Sequence, residues 1–216
     1  ISQATQVVTL VDTTLPEIFA PTDIVAEATG LSSTMVELGE ATAHDIMGIA
    51  SVTEHPSRFF VLGETTITWT ATDTSGNSAS ATQTVTIVDT TSPSITAPGS
   101  ITMEATSSDS NIVILGNPVS SDLVDTPSIS NNAPDLFPLG ETIVTWTAID
   151  TSGNISQATQ TVTIVDTTSP ELIMPEDIMI GAFSLEKQVE IGEAQANDLA
   201  GSILTITNDA PNSFPL

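Results

Sequence analysis

The sequence predicts an all-β chain of tandem antiparallel β-sandwiches, on three observations. Blocks of sequence recur at a constant interval: Val-Asp-Thr-Thr begins at Val11, Val88 and Val165, and Leu-Gly-Glu-Thr begins at Leu62 and Leu139. The hydrophobic period inside each block is 2, the signature of a strand with one buried face. No segment sustains a 3.6-residue period between helix caps.

The repeat interval is 77 residues, and Trp69 and Trp146, the two tryptophans, obey it. Phe60, Phe137 and Phe214 also stay in register. The opening ISQATQVVTL parallels ISQATQTVTI at Ile155–Ile164, so residues 1–10 are expected to be the last strand of a preceding repeat. Residues 11–87 and 88–164 then form two full repeats, and residues 165–216 form a third that stops short of its Trp-bearing strand. A self-similar array of this kind is read before any individual element. Continuation of the chain is the preferred way to complete the third unit. Donation of Gln3–Leu10 by a neighbour ranks below it, because that strand replaces the last strand but not the Trp strand.

Each element follows from alternation. Ile24, Ala26 and Ala28, echoed by Ile101, Met103 and Ala105, read as an early strand, and Val36 and Leu38 as the start of another. Ile67, Trp69 and Ala71 alternate with threonines, as do Val144, Trp146 and Ala148; Ala79, Ala81, Val85 and Ile87 follow. Threonine suits the outward positions because β-branching fits a pleated surface without adding charge. Five to seven short strands in each 77-residue unit, punctuated by Pro and Gly, favour a small sandwich over a single-sheet solenoid, which uses shorter repeats. Its core is expected at Trp69 and Trp146, flanked by Phe60 and Phe137, with Leu62 and Leu139 nearby.

Composition narrows the function. Asp and Glu number 27 against 2 Lys and Arg, for a formal charge of −25 in 216 residues. The imbalance comes from missing cations, since acidic residues are near their usual frequency. Such a surface repels nucleic acid and anionic lipid and attracts divalent cations. No run is long and apolar enough to span a membrane, and no basic segment leads an apolar signal-like stretch. With no cysteine, there is no disulfide or thiolate chemistry.

The strings VDTTSPSITAPGSITMEAT, FPLGETIVTWTAIDTSGN and SQATQTVTIVD together resemble the hyalin repeat (HYR) family. The resemblance covers the chain in three copies and implies an immunoglobulin-like module of extracellular or cell-surface proteins, without catalysis. Many hyalin repeats carry a cysteine pair, with one cysteine where Trp69 and Trp146 stand; a large aromatic takes its place here.

The residues agree that this is not an enzyme. His44 and His55 have Ser121 and Asn132 as counterparts, no nucleophile-elbow motif is present, and both histidines read as solvated loop residues. The turn Asp73-Thr74-Ser75-Gly76 has Asp and Gly where a type I turn wants them. Pro16, Pro93 and Pro170 stiffen the linkers. Asn154-Ile155-Ser156 is the one N-glycosylation sequon.

The family's topology places aspartates together at the end where the chain enters each repeat. The candidate metal ligands are Asp12, Asp45 and Asp73; then Asp89, Asp122 and Asp150; then Asp166 and Asp198, with Glu64 or Glu141 reaching over from the preceding repeat. Calcium is the expected cofactor, because hard divalent ions take carboxylate and backbone oxygens. Without an ion, the aspartates would cap turns and remain hydrated. The expected partners are neighbouring repeats and copies of the same protein, in a stalk, surface layer or filament. An adhesin that binds a glycan or cell-surface protein through variable loops, and spacer domains of a secreted hydrolase, are the alternatives. Residues 44–58 differ sharply from 121–135, which keeps the adhesin reading open.

Overall fold

The computed structural model describes residues 2–53, 57–181, 186–201 and 205–215. The chain forms two compact units. The first comprises Ile1–Ser94, Ser121–Ser128 and Ile149–Ser156, and the second Ile95–Ser120, Ile129–Ala148 and Gln157–Leu216. Every regular element among the described residues is a strand.

Repeat 1 contains β1 (Glu17–Phe19), β2 (Ile24–Glu27), β3 (Thr34–Met35), β4 (Thr42–His44), β5 (Ile49–Thr53), β6 (Phe59–Phe60), β7 (Gly63–Asp73) and β8 (Ser78–Val88). One sheet has the order β2-β8-β7-β5, and the pairs β1-β4 and β3-β6 form two smaller sheets. The long hairpin β7-β8 is in register from Gly63↔Ile87 to Thr72↔Ser78. Its inward residues Ile67, Trp69, Val85 and Ile87 meet Ala28, Val36, Leu38 and Phe60 in the first core. The threonines of β7 alternate outward, as their parity requires. The pairs are antiparallel except one: β2 runs parallel to β8, with Ile24 beside Val85 and Ala26 beside Ile87. Most of the repeat separates those two strands, which is the long crossover that a parallel pair needs.

Repeat 2 is built the same way from β9 (Ser94–Thr96), β10 (Ile101–Glu104), β11 (Val119–Ser121), β12 (Ser128–Asn131), β13 (Gly140–Ile149) and β14 (Ile155–Val165). The sheet order is β10-β14-β13-β12, and β10 is parallel to β14. Its core holds Ala105, Phe137, Val144, Trp146, Val162 and Ile164. Trp69 and Trp146 are only 3% and 6% exposed, as the alternation requires.

Several expectations need correction. Leu62 is 46% exposed, although its counterpart Leu139 does pack against the second core. Leu38, not Leu62, is the leucine that closes the first core. Val36 and Leu38 are buried in alternation with Met35 and Glu37 but belong to no ladder; the ladder there is the two-residue pairing of β3 with β6. Alternation reports which face is buried, not whether a neighbouring strand is there to pair. His44 ends strand β4 and is exposed, rather than lying in a loop. His55 lies outside the described residues.

Residues 2–16 form no strand, and Val7, Val8, Leu10 and Val11 are exposed. Nearly the same sequence is strand β14 farther along, where β13 and β10 flank it. In the third copy β15 (Glu171–Ile173) pairs with β17 (Gln195–Asn197), and β16 (Glu186–Lys187) pairs with β18 (Phe214–Pro215).

Candidate metal centre

Three loops of the first unit bring Asp12, Asp45 and Asp73 together. Asp12 lies in the linker before β1, Asp45 in the turn between β4 and β5, and Asp73 at the end of β7. One carboxylate oxygen from each lies within 4.8 Å of the others. Among the described residues this is the one acidic trio drawn so close.

Each aspartate is held by its own turn. The amide of Ser75 donates to Asp73 Oδ1 at 2.8 Å, and so does that of Asn77 at 2.8 Å. Gly76 completes the turn with φ +93°, a conformation glycine adopts without steric cost. Asn77 Nδ2 donates to Asp73 Oδ2 at 2.7 Å and to the Asp12 carbonyl at 3.3 Å, which ties the linker to the turn. Met47 N–H donates to Asp45 Oδ1 at 2.8 Å, and Thr14 N–H to Asp12 Oδ1 at 3.0 Å. Burial of Asp73 works against its ionisation, but the hydrogen bonds from Asn77, Ser75 and Gly76 outweigh it and hold the carboxyl below the usual range. Asp150 follows the same pattern: burial opposes ionisation, and the bonds from Asn154, Gly153 and Ser152 overcome it.

One atom stays unsatisfied. Asp12 Oδ2 is buried and has no hydrogen-bond partner. Carboxylates about 5 Å apart repel by roughly 3 kcal/mol per pair at an effective dielectric of about 20. Arg58 pairs with Glu37 at 2.5 Å. Three converging carboxylates with an orphaned buried oxygen fit a hard divalent cation, and these residues pass that test.

The equivalent residues of repeat 2 are arranged differently. Ser152 Oγ donates to Asp89 Oδ2 at 3.1 Å, so that oxygen is satisfied. Asn154 bridges the Asp89 carbonyl and Asp150 Oδ2, at 3.1 and 2.8 Å. With both amide hydrogens committed, the sequon asparagine is tied into the turn. Asp122 caps its own turn through Val124 N–H at 2.8 Å. Asp125, a residue that the repeat pattern did not single out, accepts from the amide and hydroxyl of Thr151 and keeps a buried, unpartnered Oδ1. Its counterpart in repeat 1 is Gly48, whose carbonyl takes the Thr74 amide instead. In the third copy Asp166 Oδ2 and Asp198 Oδ1 share the amide of Ala200, at 3.0 and 2.9 Å. The hydroxyl of Thr168 is the main influence holding the Asp166 carboxyl low.

Glu64 stays on β7, exposed and opposite Thr86. The carboxylate that grips the following linker is Glu27, at the end of β2. It accepts from Thr90 N–H at 2.8 Å and from the hydroxyls of Thr90 and Thr91, each at 3.0 Å. Glu104 does the same for Thr167, at 2.7 and 2.9 Å. Two buried glutamines also escaped the sequence reading. Gln83 accepts from Trp69 Nε1 at 3.2 Å and donates to the carbonyls of Thr22 and Leu38 at 2.7 and 2.9 Å. Gln160 makes the same three bonds with Trp146, Gly99 and Leu115. The available signal was their inward parity, between an alanine and a valine, on both hairpins.

Comparison with known proteins is consistent with this repeat architecture. The chain is 36% identical over 232 aligned positions to hyalin of Strongylocentrotus purpuratus, covering 95% of this chain and 19% of that protein. It is 35% identical to hyalin of Lytechinus variegatus, covering 94% of this chain and 42% of that protein. The chain thus spans less than half the length of either hyalin. Against the Rattus norvegicus sushi, von Willebrand factor type A, EGF and pentraxin domain-containing protein 1, identity is 36% over 66% of this chain and 4% of that protein. Among solved structures, a protocadherin gammaB4 extracellular domain aligns over 74% of this chain and 34% of its own, with 14% identity and a TM-score of 0.35, too loose to build on. The HYR domain profile matches residues 11–87 and 88–164. With the hyalin likeness, this makes the chain an extracellular or cell-surface member of the HYR domain family, a non-enzymatic extracellular repeat family.

Proposed function

We propose that this chain is a structural segment of an extracellular array, stiffened by calcium at the acidic end of its repeats. The observation that carries this reading is the trio Asp12, Asp45 and Asp73, with Asp12 Oδ2 buried and unpartnered. A bound calcium ion would supply positive charge and oxygen coordination, offsetting the mutual repulsion of the carboxylates. The protein's own contribution is positional. The 73–77 turn fixes Asp73, Asn77 holds the linker carbonyl, and the turn after β4 presents Asp45. Calcium bound there would pin the linker before β1 to the rest of the repeat. Extracellular modules bind calcium with dissociation constants of about 10⁻⁴–10⁻³ M. Asp89, Asp122, Asp125 and Asp150, and then Asp166 and Asp198, are the corresponding candidates in the later copies.

Thermal melting with millimolar calcium against EDTA tests the proposal. Calcium should raise the midpoint, and Asp12→Asn should reduce that rise by removing the first repeat's share, while leaving the EDTA midpoint unchanged or higher, because it removes one repelling charge. An identical midpoint in calcium and EDTA would count against the reading.

The adhesive alternative has its own support. The loop from Asp45 exposes Ile46 and Met47 and differs in sequence from its counterpart in repeat 2. A carbohydrate-array screen of the chain tests it, and specific binding lost on Ile46→Ser and Met47→Ser would favour adhesion over a purely structural role.

A further inference from the structure

Tension in a tandem array passes through each repeat from its first strands to its last. In repeat 1 the chain enters through β1 and β2 and leaves through β8, and β2 lies directly beside β8. The two run parallel, from Ile24 beside Val85 to Glu27 beside Val88. Pulling the start of β2 against the end of β8 therefore slides one strand along the other. All the bonds between them are loaded together, whereas strands peeled from one end give way one rung at a time. Upstream, β1 pairs with β4 over three residues, so it yields first and passes the load to β2.

Bonds beyond the ladder reinforce the pair at both ends. Ahead of β2, Thr84 N–H donates to Asp23 Oδ1 at 2.7 Å, and Gln83 Nε2 donates to the Thr22 carbonyl at 2.7 Å. Past its end, Ala28 N–H donates to the Val88 carbonyl at 2.7 Å. Glu27 then accepts from the Thr90 amide and from the hydroxyls of Thr90 and Thr91, the residues through which the chain leaves. Repeat 2 reproduces the arrangement. There β10 runs parallel to β14 from Ile101 beside Val162 to Glu104 beside Val165, and Gln160 Nε2 donates to the Gly99 carbonyl. Ala105 N–H donates to the Val165 carbonyl at 2.7 Å, and Glu104 accepts from Thr167. Its reinforcement is thinner: Ser100 stands where repeat 1 has Asp23, and the hydroxyl of Thr168, unlike that of Thr91, turns to Asp166.

We infer that the parallel pair and its glutamate form a shear clamp that carries tension through each full repeat, and that the clamp of repeat 1 is the stronger. The inference rests on the reading of this chain as a structural segment of an array, and not on calcium. Interactions lost on the way to the transition state set the unfolding rate, and forced unfolding follows that rate rather than equilibrium stability. Glu27 is exposed at the end of its strand, so removing its carboxylate leaves the core of the repeat in place.

The test holds the full 216-residue chain by its two ends under constant force, in EDTA. Two unfolding steps are expected, each releasing roughly 250 Å of chain, the length of one repeat. Glu27→Ala should shorten the lifetime of the longer-lived step roughly tenfold, and Glu104→Ala that of the other step by a smaller factor. Val36→Ala trims the first core away from the parallel pair. It should lower the chemical-denaturation midpoint yet change the lifetime under force less than Glu27→Ala does. Lifetimes that follow Val36→Ala and ignore Glu27→Ala would overturn the inference. So would repeats that resist force only when calcium is present, a result that leaves the calcium reading standing. Repeats that yield readily with and without calcium would overturn both.

Discussion

Asp12 illustrates how little of a side chain's role is set by its type. Its Oδ1 caps the linker through Thr14, and its Oδ2 is buried without a partner. Asp89, at the same place in the next repeat, has Ser152 Oγ on the corresponding oxygen. Ser75 is the same residue one repeat earlier, so the difference lies in local geometry rather than composition. Gln83 is the opposite case, a buried polar side chain with its bonds well met. Replacing it by leucine strands the Trp69 indole N–H and the carbonyls of Thr22 and Leu38. Each buried unsatisfied group costs about 1–3 kcal/mol, so Gln83→Leu should destabilise repeat 1 by about 3 kcal/mol or more. Chemical denaturation followed by tryptophan fluorescence checks it, and a smaller effect than that of a surface Thr→Ala would refute the assignment.

At the scale of elements, the strands and the linkers obey different rules. Inward parity was readable for β7, β8, β13 and β14, because one face of each is buried along most of its length. It was not readable which strand each would pair with. Hence the parallel β2–β8 pair, the stretch at Val36 and Leu38 that lies outside any ladder, and the strandless residues 2–16 emerged only in three dimensions. The linker clamp was hidden for another reason: Glu27 sits at an outward position, where a carboxylate is unremarkable by pattern. Its partners Thr90 and Thr91 are more than sixty residues away in sequence. The Thr90 amide is the leading influence that holds Glu27 below its ordinary value of 4.5, against a smaller opposing effect of burial, with both threonine hydroxyls adding to it. A carboxyl lowered on folding stabilises fully above its ordinary value and loses that contribution as pH falls through the lowered one. Glu27→Gln should therefore lower the melting midpoint near neutral pH, and the gap from the parent should close in acid below about 4.5. A gap that is constant across pH would place the effect elsewhere. Gly181 occupies the equivalent position in the third copy, so this carboxylate clamp is specific to the first two.

For the whole molecule, the acidic balance and the repeat period point the same way. A chain with 27 acidic and 2 basic side chains cannot neutralise clustered carboxylates with its own cations. It must hydrate them, separate them or bind ions. The sequence reading named the three aspartates that the structure draws together in the first repeat because turn chemistry and repeat register agree at Asp45 and Asp73. It missed Asp125, which has a glycine in the other two copies and so leaves no periodic trace. Repetition in sequence therefore reveals the shared scaffold better than the features peculiar to one copy. The measurement that bears most directly on the central claim is calorimetric titration of calcium into the full chain, set beside the same titration of Asp12→Asn. The account predicts saturable binding in the range of about 10⁻⁴–10⁻³ M, with loss of at least one site in the variant. Absence of binding heat in the parent, or identical isotherms for the two proteins, would contradict it.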